Sequence, residues 1–162
     1  MKLSSIISFA AFSSALALPT SADQSENPAT LVTRDLGINC RGSVLCNAPA
    51  YGDNAAKRLQ AYINNGIQTS RVYRNGEHIA CVSRDGTGLR TKGGFCAFLQ
   101  GTTRNIDGGS IKLLIGYIVN HGCVVCGSVP IDYQNGSNNP ANGILTINAV
   151  EDTANPCLNG IC

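Results

Sequence analysis

Tryptophan is absent from the sequence, methionine occurs once, and few residues are charged. Charged residues make up 14% of the chain, and the formal net charge is +2 at pH 7. That balance argues against a protein that binds nucleic acid through a broad basic face. After the first twenty positions the longest apolar stretch is 111–119, which is far shorter than the roughly 20 residues of a membrane-spanning helix. We therefore expect no nucleic-acid partner and no membrane insertion.

Catalytic motifs are also scarce. The G-x-S-x-G motif of serine hydrolases and the phosphate-binding loop of nucleotide-binding enzymes are both missing. The only histidines are His78 and His121. His78 follows Glu77, but adjacent residues of a strand point to opposite faces, so the pair is unsuited to shared acid–base catalysis. His121 lies at a predicted helix C-terminus, where an imidazolium is stabilised by the helix dipole. We predict no catalytic residue and no enzyme, with a ribonuclease-type toxin as the alternative.

The N-terminal part has the composition of segments that are removed or stay unfolded. Lys2 precedes an apolar stretch that ends in a small-x-small cleavage pattern, which predicts a signal peptide at 1–17. Residues 18–34 are polar and lack aromatic side chains, so they predict a pro-segment or a disordered leader. The remaining residues, 35–162, have the length of one domain. We expect this domain to be secreted and extracellular.

Cysteine is abundant, and all of it lies in the predicted domain. An even number of cysteines behind a signal peptide predicts four disulfides formed in an oxidising compartment. Cys123-x-x-Cys126 has a zinc-like spacing, but secretion opposes the reduced thiolates that zinc requires, so we predict no metal. Spacing alone leaves on the order of a hundred pairings open. The cysteines are Cys40, Cys46, Cys81, Cys96, Cys123, Cys126, Cys157 and Cys162.

Two segments have the periodicity of amphipathic helices. The first follows Asp53, a potential N-cap, and ends at Asn65-Gly66. The second begins at Ser110 and ends at Gly122, and its wide apolar stripe predicts a mostly buried helix. We expect this stripe to pack against strands that carry Phe98, Val125 and Ile147. The stripe consists of Ile111, Leu114, Ile115 and Ile118.

The rest of the domain predicts about five short strands. Segments 71–74 and 77–82 flank Asn75-Gly76, a strong signal for a β-hairpin. Two helices among such strands predict an α+β fold: a disulfide-rich, two-layer α/β sandwich with a mainly antiparallel sheet and both helices on one face. A glycine-rich, basic loop is predicted at 83–94, and Asn135 begins a glycosylation sequon in a second loop. The other predicted strands are 95–99, 124–130 and 143–150.

Four blocks of the sequence resemble one family of killer toxins. They read LGINCRGS at 36–43, CAFLQGT at 96–102, VNHGCVVCGSVP at 119–130 and GILTINAV at 143–150. The founder of that family is the virus-encoded toxin of corn smut, a calcium-channel blocker. The resemblance implies a secreted fungal protein with two antiparallel helices against a five-stranded sheet. It also implies a non-enzymatic action, the inhibition of calcium uptake through channels of the target cell.

The chain departs from the founder at several positions. Asn105 and Lys112 stand where the founder has cysteines, and Gly76–Ala80 replaces a segment rich in arginine and lysine. Nearby basic side chains are therefore the candidates for target binding, since a cation held on a constrained loop can enter the acidic mouth of a cation channel. These candidates are Arg71, Arg74, Arg84, Arg90 and Lys92.

The resemblance also bears on the disulfides. The spaced pairs Cys40/Cys46 and Cys123/Cys126 lie next to the two blocks most like the family, so we predict that these four bond among themselves. The other four cysteines would then form two bridges that join the C-terminus to the central strands.

These observations predict a toxin-like protein or effector that inhibits the growth of competing fungi or plant cells. We expect a monomer without a cofactor, whose partner is a target-cell membrane protein, specifically a calcium channel. The alternatives are the ribonuclease-type toxin and a non-toxic effector that binds a host wall polymer or protein.

Overall fold

The structure is a computed structural model that describes residues 37–47, 54–83, 93–151, 157 and 159–162. The predicted signal peptide and leader, the potential cap Asp53, and the candidates Arg84, Arg90 and Lys92 lie outside the described residues. Among the residues that the structure describes, each helix is too short or too polar to span a bilayer.

Two helices form where the periodicity predicts them. Helix α1 spans Ala55–Gly66 and buries Ala56, Leu59 and Ile63. Helix α2 spans Gly108–Asn120. It begins two residues before the predicted start because Asp107 is its N-cap and accepts a hydrogen bond from the Ser110 backbone N–H at 2.9 Å.

Gly108 allows the start of helix α2 to lie close to the loop after α1, because a Cβ there would be 2.3 Å from the carbonyl oxygen of Gln68. Gly116 faces α1, but no glycine is needed there, since a Cβ would meet Gln60 at 3.8 Å, an ordinary van der Waals distance. The helix ends before Gly122, whose φ of 94° favours glycine.

The main sheet consists of β2 (His78–Ser83), β3 (Gly94–Gln100), β5 (Gly127–Pro130), β6 (Ile144–Val150) and β7 (Asn159–Ile161). These five strands are antiparallel and lie in the order β5-β6-β3-β2-β7. Both helices pack against the sheet, α1 over β2 and β7 and α2 over β5 and β6. The fold is therefore the predicted disulfide-rich α+β sandwich.

The predicted hairpin at Asn75-Gly76 is wrong in its pairing. Strand β1 (Val72–Tyr73) pairs with β4 (Ile106–Asp107) to form a separate two-stranded sheet. Strand β2 already has neighbours on both edges, since β3 and β7 pair with it. The turn itself is present: Gly76 has a φ of 78°, and the Glu77 N–H donates to the Arg74 carbonyl.

The core lies between the helices and the inner face of the sheet. Ile111, Leu114, Ile115 and Ile118 are completely buried there, as predicted, and so is Ile147. Strand β3, which carries Phe98, contributes to this core, but Phe98 itself points away from it. Side chains alternate along β3, so Phe95, Ala97 and Leu99 face the helices. Phe98 instead packs with Cys81, Cys96 and Cys157 in a separate cluster.

Four disulfides connect all eight cysteines. Cys40–Cys123 and Cys46–Cys126 join the N-terminal segment to the residues before β5, which confirms the predicted grouping. The same bridges account for the zinc-like Cys-x-x-Cys spacing. The remaining bridges are Cys81–Cys96, between opposite positions of β2 and β3, and Cys157–Cys162.

The predicted covalent link from the C-terminus to the central strands is therefore wrong. Cys157 and Cys162 bond to each other and close a short terminal loop. Backbone hydrogen bonds hold the C-terminus instead, because β7 pairs with β2 and the Cys162 N–H donates to the Ile79 carbonyl at 2.9 Å.

Candidate target-binding site

Arg71, the first basic candidate, is held by neighbouring side chains. Its guanidinium donates to the Glu77 carboxylate at 2.6 Å and lies 4.5 Å from the centre of the Tyr73 ring. Because the guanidinium already makes an ion pair and a cation–π contact, its positive charge is less available to a partner. Arg71 therefore fixes the geometry of this segment, and it is a weaker candidate for contact with a partner.

Glu77 joins the two predicted arginines. Burial raises the pKa of its carboxyl group, but the Arg74 backbone N–H and the Arg71 guanidinium outweigh burial and hold the pKa below its usual range. The Arg74 N–H donates to the second carboxylate oxygen at 3.0 Å. An ionised Glu77, which follows the turn, therefore binds the two arginines that precede it.

Arg74 itself presents its side chain to solvent. The residue is exposed, and among the described residues its guanidinium has no ion pair. The turn that carries it is anchored: the Gly76 N–H donates to the Leu99 carbonyl at 2.7 Å, and the Asn75 side chain accepts from the Thr102 N–H at 3.1 Å. A rigid turn therefore presents an exposed cation.

A polar cleft of about 230 Å³ lies beside the loop after β3, the loop in which the Thr102 N–H donates to the Asn75 side chain. The loop after β3 forms one wall, and the short 3₁₀ turn Pro140–Asn142 contributes to the other. The cleft is lined by Gly101, Thr103, Arg104, Ala141 and Asn142.

Asp132 connects the two walls of the cleft. Its carboxylate oxygens accept from the Asn142 amide at 2.8 Å and from the Arg104 guanidinium at 2.5 Å. These two hydrogen bonds hold the pKa of the Asp132 carboxyl group below its usual range. Asp132 thereby holds the Arg104 guanidinium of one wall and the Asn142 amide of the other against a single carboxylate.

The hydroxyl group of Tyr73 is a buried polar atom without a hydrogen-bond partner. The residue is completely buried in the core, and burial raises the pKa of its phenol. Its ring packs beneath Arg71, so the residue supports the basic segment from inside.

The two histidines lie in different surroundings. His78 is half-buried in β2, with its ring centroid 5.8 Å from that of Phe98. His121 is exposed at the end of α2, and its backbone N–H donates to the Tyr117 carbonyl. Glu77, next to His78, is bonded to the basic segment.

Two groups of potential metal ligands occur in the described part of the chain. One is His78 with Cys81 and Cys96, and the other is Cys81 with Cys157 and Cys162. Every sulfur in them belongs to a disulfide. A disulfide sulfur is not the thiolate that binds metals, so the oxidised protein offers no thiolate there.

Asn135, the glycosylation candidate, ends the 3₁₀ turn Tyr133–Asn135 and is exposed. Exposure is what a glycan would require, and its attachment stays a prediction.

Sequence reasoning missed the cleft. Arg104 and Asp132 are 28 positions apart, and Asp132 and Asn142 are 10 apart, with no motif to link them. The detectable signal was local: Asn139-Pro140 in a loop rich in asparagine and glycine, which predicts turns. Only tertiary structure brings the two loops together.

Comparison with known proteins gives a consistent result. The Kp4 family profile matches residues 27–151. A relative named KP4 killer toxin, from Ustilago maydis P4 virus, is 37% identical over 121 residues, which cover 74% of this chain and 84% of the relative's length.

Proposed function

Because the chain belongs to the Kp4 family of killer toxins, we propose that it is secreted and blocks calcium channels of competing fungi or plant cells. The action is non-enzymatic, and the partner is a membrane protein of the target cell. The protein acts as a monomer from outside that cell and does not enter the membrane.

The observation that carries this proposal is the exposed guanidinium of Arg74 on an anchored turn. Calcium channels select cations with rings of acidic side chains, and a fixed positive charge can occupy such a ring. A preorganised turn loses less conformational entropy on binding than a floppy tail does. Arg84, Arg90 and Lys92 would add positive charge in the segment of the sequence between β2 and β3.

Calcium influx into target cells tests the proposal directly. Wild-type protein is expected to reduce influx in fungal cells or root cells loaded with a calcium indicator. Arg74→Glu should weaken this inhibition at least tenfold, because a fixed charge that attracts the pore becomes one that repels it. Charge reversal at Arg84, Arg90 and Lys92 together should weaken it further.

Lys57→Glu is the matched control. Lys57 is an exposed cation on α1, and its reversal changes the net charge by the same amount as Arg74→Glu. Inhibition that falls equally in both variants would indicate a general charge effect. Growth inhibition with normal calcium influx would contradict channel blockade.

A further inference from the structure

We propose that the cleft formed by Gly101, Thr103, Arg104, Ala141 and Asn142 binds a carboxylate group of the partner. The inference rests on the proposed function for the identity of the partner, whereas the chemistry of the ligand comes from the cleft. It gives the protein a second contact beside Arg74, at the same end of the sheet.

Hydrogen-bonding capacity points to an acceptor as the ligand. A guanidinium has five N–H donors, and Asp132 accepts from the Arg104 group through one carboxylate oxygen. The Asn142 amide has a second N–H, and Thr103 contributes a hydroxyl group. Both oxygens of Asp132 already accept a hydrogen bond. Four of the five guanidinium N–H groups of Arg104 and one amide N–H of Asn142 are therefore not used by Asp132, and they can donate to an anionic oxygen.

The balance of charge agrees with an anion. Asp132 compensates one positive charge, that of Arg104. Arg74 adds a second cation on the turn that is bonded to the same loop, and no carboxylate in the described ranges pairs with it. A planar carboxylate can accept two parallel N–H groups from a guanidinium, which makes arginine its preferred partner.

The cleft is fixed before any ligand arrives. The Arg104 N–H donates to the Thr102 side chain at 3.0 Å, and the Asn75 side chain holds the Thr102 N–H. Gly143 has a φ of 110°, and a Cβ there would lie 2.5 Å from the Thr102 Cβ, so the two loops touch. On the other wall, the Asn139 side chain accepts from the Ala141 N–H at 3.0 Å.

NMR titration of the labelled full-length mature protein tests the cleft without any toxicity assay. The probe is a short glutamate-rich peptide, compared with inorganic phosphate and with glucose at equal ionic strength. We expect the peptide to cause saturable shifts of the Gly101, Thr103 and Arg104 backbone amides. The dissociation constant should rise at least fivefold in Arg104→Gln and change less than twofold in Lys57→Gln.

Ala141→Trp provides a second variant that keeps every charge. Ala141 is exposed and lines the cleft, so a large ring there should block the space and abolish the peptide shifts while the protein stays folded. If Arg104→Gln unfolds, this variant and the wild-type titration still decide the question.

Three results would overturn the inference. These are an absence of saturable shifts at the cleft with the peptide, tighter binding of phosphate than of the peptide, and shifts with glucose alone, which would indicate a saccharide site. Failure of the proposed function looks different: the cleft would bind the peptide, but the protein would leave calcium influx unchanged. Inhibited calcium influx without peptide binding would contradict only the proposal that the cleft binds a carboxylate.

Discussion

Arg71 and Arg74 illustrate how much depends on the surroundings of a single residue. They are three positions apart and chemically identical, and the sequence made them equal candidates. The structure separates them, because Glu77 and the Tyr73 ring engage Arg71 while the Arg74 side chain remains exposed. Tyr73 and Glu77 are close in sequence to both arginines, so proximity along the chain does not tell which of the two they engage.

Leu114 and Leu113 form a matched pair for testing the core. Leu114 is completely buried on α2, whereas the Leu113 residue is 55% exposed. We expect Leu114→Ala to lower the free energy of unfolding by about 2–5 kcal/mol, since it leaves a cavity in the core. Leu113→Ala should change it by less than about 0.5 kcal/mol. Urea denaturation of both variants measures the difference, and equal losses would mean that the inner face of α2 is assigned wrongly.

Asp132 should make stability depend on pH in the acid range. Its pKa in the folded protein lies below the ordinary value of 3.8, so ionised Asp132 stabilises the fold above that value. The contribution is lost as the pH falls through the lowered folded-state pKa. Asp132→Asn should be less stable than the wild type at about pH 6, and the gap should narrow below about pH 3.

Urea unfolding of wild type and variant at the two pH values measures this gap. A gap of constant size would show that the carboxylate makes no net contribution through its hydrogen bonds with Asn142 and Arg104.

The helices and the turn follow from local sequence, whereas the pairing of the strands does not. The periodicity of α1 and α2 predicted which faces are buried, because a helix face depends only on nearby sequence. The Asn75-Gly76 turn was also predicted, but β1, on one side of it, pairs with β4 and not with β2. Both edges of β2 are already paired, with β3 and with β7, and β7 lies some 80 positions further along the chain.

The disulfides also divide into those that the sequence predicts and those that it does not. Two closely spaced cysteine pairs beside family-like blocks were enough to group Cys40, Cys46, Cys123 and Cys126. The terminal cysteines carried no such pattern, so their local bridge was missed. Peptide mapping of the unreduced protein should recover Cys157–Cys162 within one C-terminal fragment, and a fragment joining Cys162 to Cys81 would contradict the structure.

Removal of single bridges should cost stability according to loop length. Cys46–Cys126 spans 80 positions and Cys157–Cys162 spans 5. Chain-entropy estimates give losses of about 4.5 kcal/mol for the long bridge and about 2 kcal/mol for the short one, because each bridge restricts the unfolded chain. Double serine variants at each bridge, compared by urea denaturation, test the order. A larger loss at the short bridge would indicate that it carries tertiary contacts of its own.

Substitution of the two histidines distinguishes a channel-blocking toxin from a ribonuclease. His78→Ala and His121→Ala, singly and together, should leave growth inhibition within about twofold of wild type, because the proposed action needs no proton transfer. The purified protein should not degrade RNA in the same preparation. Thermal melting controls for the loss of the His78 contact with Phe98. A folded double variant without toxicity, together with RNA cleavage by wild type, would favour the ribonuclease.

The central claim, blockade of calcium entry, is tested most directly by comparing calcium with sodium as protectants in one growth-inhibition assay. Salt of either kind screens the attraction between basic residues and an acidic pore. Calcium in addition competes for the pore carboxylates. We predict that millimolar-range calcium restores growth at concentrations where sodium chloride of equal ionic strength does not. Equal protection by both salts would reduce the effect to screening and contradict the channel-blocking account.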